Sequence, residues 1–440
     1  MRKQPEISPQ NVTITPRKHD DIITQVREYK LITPLFGGGV TAGERDPITL
    51  IRGTEIRGLL RFWWRACRAG NYTTIKDLKE AEDKIWGAAN KNRDANEKMA
   101  EASSEEKRKG TVQIAVEQIS EGTPDTPFEK NGKEKRNQRI APVYAAFPLQ
   151  PSDDDKRNKV SPKNVLQDVR FKLTISFHKD FQEEIKAALW AWETFGGIGA
   201  RTRRGFGALQ LLKIYNKDYS DLPFANELLS VDKGGKKNWL EMKLTQHVVE
   251  GTPPKGVPHL SRNIQYKVKY SSPDPFVVWN SLIKRLSSFR QFPMGRDKRS
   301  KWPEAEAIRG ITGDRDSKYP PLSHPQKFPR AAFGLPIVFH FRKDDIGDPD
   351  DTTLQRSDKE KERLASPLIL RPFVCKDGKA VGLVLLLEGR QTYPDVLELV
   401  NENKQPYSVT IDTKLTPAEA KDIPALDGET DVLKAFMEYL

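Results

Sequence analysis

Between residues 168 and 215 the apolar pattern changes period twice, and this alternation restricts the available folds more than any other feature of the chain. DVRFKLTISFH (168–178) places apolar residues at every second position, as a strand with one face in a core does. DFQEEIKAALWAWETF (180–195) switches to a helical period, with Asp180 placed to cap it. GGIGARTRRGFG (196–207) breaks the helix, and ALQLLKIY (208–215) returns to strand. Upstream stand a strand-like run TQVREYKLIT within 12–33, a turn PLFGGGV, a helix after Arg52 and a strand TVQIAVEQI at 111–119. Strand, helix, strand, strand, helix, strand is the βαββαβ order of a ferredoxin-like α+β domain, a fold shared with the RNA recognition motif.

The first of those helices carries a charge problem. In RGTEIRGLLRFWWRACR the residues Arg57, Arg61, Arg65 and Arg68 fall within about 80° of one another at roughly 100° per residue. Ile56, Leu59, Phe62, Trp63, Ala66 and Cys67 fill most of the remaining circumference, with Thr54 as a cap and Gly70 at the C′ position. Four like charges in one stripe repel. A polyanion is the simplest compensation and points to nucleic acid; acidic neighbours on a solvated face are the other. Trp64 lies about 60° from the middle of the stripe, so its role stays open between core and base stacking.

Two glycine clusters raise the same question. Gly197, Gly199, Gly205 and Gly207 enclose Arg201, Arg203 and Arg204. A dinucleotide loop is excluded, because this segment follows a helix and opens a strand, and Thr202 stands where a third glycine is wanted. Glycines that admit a phosphate to main-chain amides, with arginines to neutralise it, fit the pattern; so does a turn packed on its own sheet. Gly37, Gly38 and Gly39, with Arg45 nearby, pose the same choice.

Residues 76–109, 120–139 and 151–163 read as solvated or loop segments, and 216–238 as a connection between domains 1–220 and 221–440. Beyond it, 239–249, 264–270, 331–341, 366–375 and 380–388 read as strands, and 274–292 and the C-terminal LKAFMEYL as helices. A second α+β domain follows, without a readable strand order. Its basic segments 294–302, 306–310 and 327–336, interleaved with Trp302, Phe328 and Phe333, suit single-stranded RNA or are ordinary basic loops.

Lys and Arg number 73 against 61 Asp and Glu, a formal charge of +12 that suits a polyanionic partner without proving one. Two cysteines cannot build a disulfide framework and fit a reducing compartment. MRKQPEISPQ lacks the apolar core of a signal peptide, and the longest apolar run, Val381 to Leu387, is strand-length. A soluble cytoplasmic protein with no membrane association is expected. The six histidines show no metal-ligand spacing, and no nucleophile or phosphate-loop motif is present. Neither metal, cofactor nor catalytic residue is therefore expected. The exception is His247 or His259 as a base for attack by an RNA 2′-hydroxyl.

YKLITPLFGGG, IRGTEIRGLLRFWWRA and GGIGARTRRGFG, followed by WPEAEAIRG, FGLPI and RLASPLILRP, together resemble the RAMP superfamily of CRISPR proteins. Within it they resemble the first-subunit family of the type III-B (Cmr) effector complex, with matches from residue 29 to 372. The resemblance implies two tandem ferredoxin-like domains with long loop insertions. It also implies a non-catalytic place in an RNA-guided antiviral complex. The partners would be guide (CRISPR) RNA near its 3′ end, target single-stranded RNA and other Cmr subunits. Carried onto this chain, Gly37 to Gly39, Arg52, Arg57, Arg61, Arg65 and the 197–207 loop form an RNA groove, with Arg45 and Trp64 beside it. Arg296, Lys298, Arg299, Arg309 and Arg330 are the second-domain candidates. The rival within the superfamily is a metal-independent endoribonuclease that processes CRISPR RNA.

Overall fold

The computed structural model describes residues 21–39, 43, 44, 46, 48–88, 111–135, 139–158, 160–215, 221–229, 238–292, 300–317, 321, 325–341, 347–357, 363–389 and 397–440. The fold mixes helices with small antiparallel sheets. Strands β1 (Ile22–Leu31), β2 (Gln113–Ser120), β3 (Arg170–His178) and β4 (Leu209–Ile214) form one sheet in the order β2-β3-β1-β4. All three neighbouring pairs are antiparallel. Helices α1 (Gly53–Arg68), α2 (Ile75–Trp86), α3 (Val143–Ala146) and α4 (Gln182–Phe195) lie between those strands in sequence.

The period-2 pattern of β3 is realised in its burial: Phe171, Leu173, Ile175 and Phe177 are all sealed beneath α1 and α4. Each such side chain contributes about 1.5–3 kcal/mol on burial. The opposite face is polar and internally bonded. Thr24 meets Ser176 at 2.8 Å, Glu28 accepts from Arg170, and Tyr215 donates to Glu28 at 2.9 Å. An RNA recognition motif carries stacking aromatics on that face; here Tyr215, just past β4, brings a ring to it that lies beside Lys172 and Lys213.

The second part begins with α5 (Trp239–His247) and continues through β5 (Tyr266–Ser272), α6 (Pro275–Gln291), α7 (Glu304–Thr312), β6 (Ile337–Phe339) and β7 (Thr352–Arg356). It closes with β8 (Leu368–Val374), β9 (Ala380–Leu386), β10 (Leu397–Val400) and α8 (Val432–Tyr439). One sheet runs β8-β9-β5 and another β10-β7-β6. The first of these repeats the relative order of β2, β3 and β1, with α6 in the place of α1. Both β8 and β9 are buried along their whole length. Leu368, Leu370, Val384 and Leu386 join the core with α6, whereas Ile369, Phe373, Val381, Leu383 and Leu385 join the core of the first part. A strand covered on both faces reads as a continuous apolar run, which is the origin of Val381 to Leu387.

Several local expectations are corrected. Residues 239–249, read as a strand, hold helix α5, because Asn238 and Glu241 close a capping box and Trp239, Leu240 and Leu244 turn inward. Residues 331–341 form a 3-10 turn, Pro329–Phe333, and then only the three-residue β6; Gly334 and Pro336 interrupt the run. The cap of α1 is Arg52, not Thr54. Gly70 lies inside a 3-10 continuation, Ala69–Asn71, and serves close approach: a Cβ there would stand 2.3 Å from the Val249 carbonyl oxygen. Phe181, not Asp180, precedes α4.

Candidate nucleic-acid interface

The arginine stripe of α1 is compensated from within the chain. Arg61 donates to Glu82 at 2.6 Å, to Asp83 at 2.9 Å and to the Gly87 carbonyl at 2.6 Å. Arg65 reaches the same Glu82 oxygen, and Glu82 is itself buried on α2. Arg68 pairs with Glu184 at 3.1 Å and donates to the carbonyls of Glu183 and His247. Arg57 donates to the Trp86 carbonyl at 2.9 Å, and burial followed by the neighbouring Arg61 lowers its pKa. The open cationic ridge expected of Arg57, Arg61 and Arg65 is therefore absent; it is the seam between α1 and α2. Trp64 is fully buried and donates to Glu184 at 2.6 Å, so it belongs to the core and offers no stacking face.

The two glycine clusters do meet, as a joint. Ala200 donates to the Phe36 carbonyl at 2.7 Å, Arg52 donates to the Gly38 carbonyl at 2.6 Å, and Gly199 donates to Glu55 at 2.9 Å. The amide expected to cradle a phosphate thus holds an internal carboxylate at the start of α1. Gly39 bonds Glu44 instead. Gly197 bridges Ala208 at the root of the loop. At Gly205, φ is +86° and a Cβ would stand 2.4 Å from Trp279 Nε1. That close approach lets the indole of α6 donate to the Arg204 carbonyl at 2.7 Å. From the other side Arg371 of β8, fully buried, donates to the carbonyls of Glu193 and Gly196 at the end of α4 and of Leu209 in β4. The 197–207 loop fastens the first sheet to the second.

One consequence of that joint is a groove of about 1210 Å³. Its walls are the loop at Ala200 to Arg204, α3 and its extension, the last turn of α6, α7 and the segment around β6. Arg201, Arg204 and Arg290 converge here, and no described carboxylate pairs with any of them. Arg290 lies over the rings of Phe333 (5.4 Å) and Tyr144 (5.9 Å), and its Nε is buried without a hydrogen-bond partner. Arg204 bonds only neutral acceptors, the Leu368 and Phe333 carbonyls and Ser366 Oγ, at 3.2–3.3 Å. Burial, then Arg290 and Arg201, push its pKa down to about 9; burial and Arg290 lower that of Arg201 as well. A guanidinium keeps its proton in proteins. The mutual repulsion of the three guanidinium groups, the lesser cause after burial, is what a bound anion would relieve.

The remaining candidates divide. Arg203 donates to the Ser366 carbonyl and lies over Phe62, so it serves the joint. Arg309 and Arg330 line the groove but are neutralised, Arg309 by Asp348 (2.6 Å) and Glu306 (2.7 Å), Arg330 by the buried Glu304 (3.0 Å). Arg45, Arg296, Lys298 and Arg299 lie outside the described residues. Sequence reasoning missed Arg290 and Tyr144: one is a lone arginine ending a helix, the other a lone tyrosine in a short Ala-rich turn.

Neither histidine proposed as a base lies in the groove. His247 is buried, stacked on Trp190 at 5.0 Å, and burial, then Lys243 and Arg68, push its pKa down to about 4. His259 is held between the Val257 carbonyl and Glu388. Among the described residues no cluster of His, Cys, Asp and Glu could hold a metal ion, and no helix is long and apolar enough to cross a membrane.

Residues 28–210, which contain the four-stranded sheet, α1, α4 and the glycine loop, match the model of the RAMP superfamily. That match covers less than half of the chain, and it is this first part that is similar to the RAMP superfamily. More particularly, the chain is similar in part to Cmr subunits. It is 27% identical over 194 residues to CRISPR system Cmr subunit Cmr1-2 of Pyrococcus furiosus, covering 42% of this chain and 92% of that one. It is 24% identical over 188 residues to Cmr1-1 of the same organism, covering 42% of this chain but 47% of that one, about half its length. Among solved structures it is similar to apo Cmr1 from Pyrococcus furiosus (17% identity, TM-score 0.46, covering 85% of this chain and 90% of that one). It is also similar to a chain of the type III-B Cmr-beta complex bound to cognate target RNA (16% identity, TM-score 0.46, covering 94% and 99%).

Proposed function

We propose that this protein is a non-catalytic, RNA-binding subunit of a type III-B CRISPR (Cmr) complex, binding a guide or target RNA strand in the groove between its two halves. In this reading the two halves are tandem ferredoxin-like domains meeting near residue 220, the second interrupted by the segment that supplies α7, β6 and β7. The observation that carries the proposal is the convergence of Arg201, Arg204 and Arg290 without a described carboxylate among them. Arginines elsewhere in the chain pair with carboxylates, as Arg61, Arg65 and Arg330 do, or are spent singly on carbonyls, as Arg371 is; here three stand together. An uncompensated set, backed by aromatic rings, suits a sugar–phosphate strand.

The kinship to Cmr1 subunits supports the assignment to a CRISPR complex. The His-assisted ribonuclease reading loses support, because a base must reach the proton that it removes and His247 is sealed against Trp190. Ultraviolet crosslinking of the full chain to single-stranded RNA, with peptide mapping, tests the proposal. Crosslinks are expected on the peptides carrying Tyr144 and Phe333 to Phe341. Crosslinks confined to the polar face of the first sheet would contradict it.

A further inference from the structure

Phe147, in the 3-10 turn Phe147–Leu149 that extends α3, is 47% exposed, whereas the other phenylalanines except Phe224 are buried or half-buried. Its ring stands 5.3 Å from that of His340, which comes from the other half of the molecule, just past β6. His340 Nδ1 is held by Asp351, so the imidazole is oriented from behind and not left to rotate. Both rings line the same groove as the guanidinium cluster. We propose that Phe147 and His340 form a base-stacking platform, and that the groove therefore takes RNA as an unpaired strand: phosphate on Arg201, Arg204 and Arg290, a splayed base on the rings. The inference rests on the RNA-binding reading of the groove and specifies the form of RNA that it accepts.

A half-exposed phenyl ring gains by covering its face with another π surface, and every nucleobase offers one. A paired base has both faces occupied by its neighbours in the stack, so only a single strand can present one. The platform is assembled from both halves, and the loop that joins those halves also carries two of the arginines. Phosphate and base subsites are therefore held at a fixed separation.

The test uses the full-length chain, fluorescein-labelled decaadenylate as the probe, and inorganic polyphosphate as a competitor that has charge but no bases. Phe147→Ala is expected to weaken decaadenylate binding roughly tenfold while leaving polyphosphate binding unchanged, and Phe147→Trp to restore it. If Phe147→Ala binds decaadenylate as the parent does while Arg290→Ala binds it poorly, the platform is refuted and the groove reading survives. If neither substitution matters, the groove reading itself has failed. If Phe147→Ala weakens polyphosphate equally, the ring supports the wall of the groove and not a base, and the proposal is overturned.

Discussion

At the scale of single residues, this chain distinguishes polar groups used for cohesion from those left available. Arg371 is the extreme case of the first kind: it sits in the most apolar strand pair and spends its donors on carbonyls of Pro372 and of the first half. In the sequence it was one more arginine within LILRP, because nothing local announces which carbonyls a buried guanidinium will meet. His247 is the titratable counterpart. Its folded pKa of about 4 lies below the ordinary 6.5, so the unfolded chain binds the proton more readily. The stability that the neutral ring provides is complete above pH 6.5 and is lost as pH falls toward 4. The full difference is roughly 3 kcal/mol. Denaturant unfolding between pH 7 and 4 should show this loss, and His247→Phe, which keeps the stack on Trp190, should flatten that part of the profile. An unchanged slope in the variant would assign the acid sensitivity to other groups.

At the scale of elements, periodicity was legible and partnership was not. The alternation of β3, the helical period of α4 and the hairpin of β8 and β9 appear where the sequence places them, because each depends on burial of its own residues. The stripe on α1 was equally visible, but its meaning depended on Glu82 and Asp83, on a helix whose docking no local pattern encodes. The glycine loop likewise turned on Trp279, some 75 positions downstream of Arg204. For the stripe, the structure predicts a stability phenotype. Glu82→Gln leaves Arg61 and Arg65 crowded without their shared anion and should cost about 3 kcal/mol in unfolding free energy, read by chemical denaturation. The same substitution should leave RNA affinity nearly unchanged. A stable variant with tighter RNA binding would show instead that the stripe is an RNA surface masked by Glu82.

At the scale of the whole molecule, the two halves are fused through shared core, the buried Arg371 and the 197–207 loop, and the groove exists only because they are. The motifs that resemble the RAMP superfamily therefore build the scaffold, while Tyr144, Phe147 and Arg290, which carry no motif, turn it into a surface with unmet charge. The most direct test is the salt dependence of single-stranded RNA binding by the parent chain and by an Arg201→Ala, Arg290→Ala double variant. Each phosphate neutralised contributes a slope of about −0.7 in log affinity against log salt. The variant should bind more weakly at low salt with a slope shallower by about 1.4. Parental affinity and an undiminished slope would place the RNA elsewhere on the molecule and contradict the account.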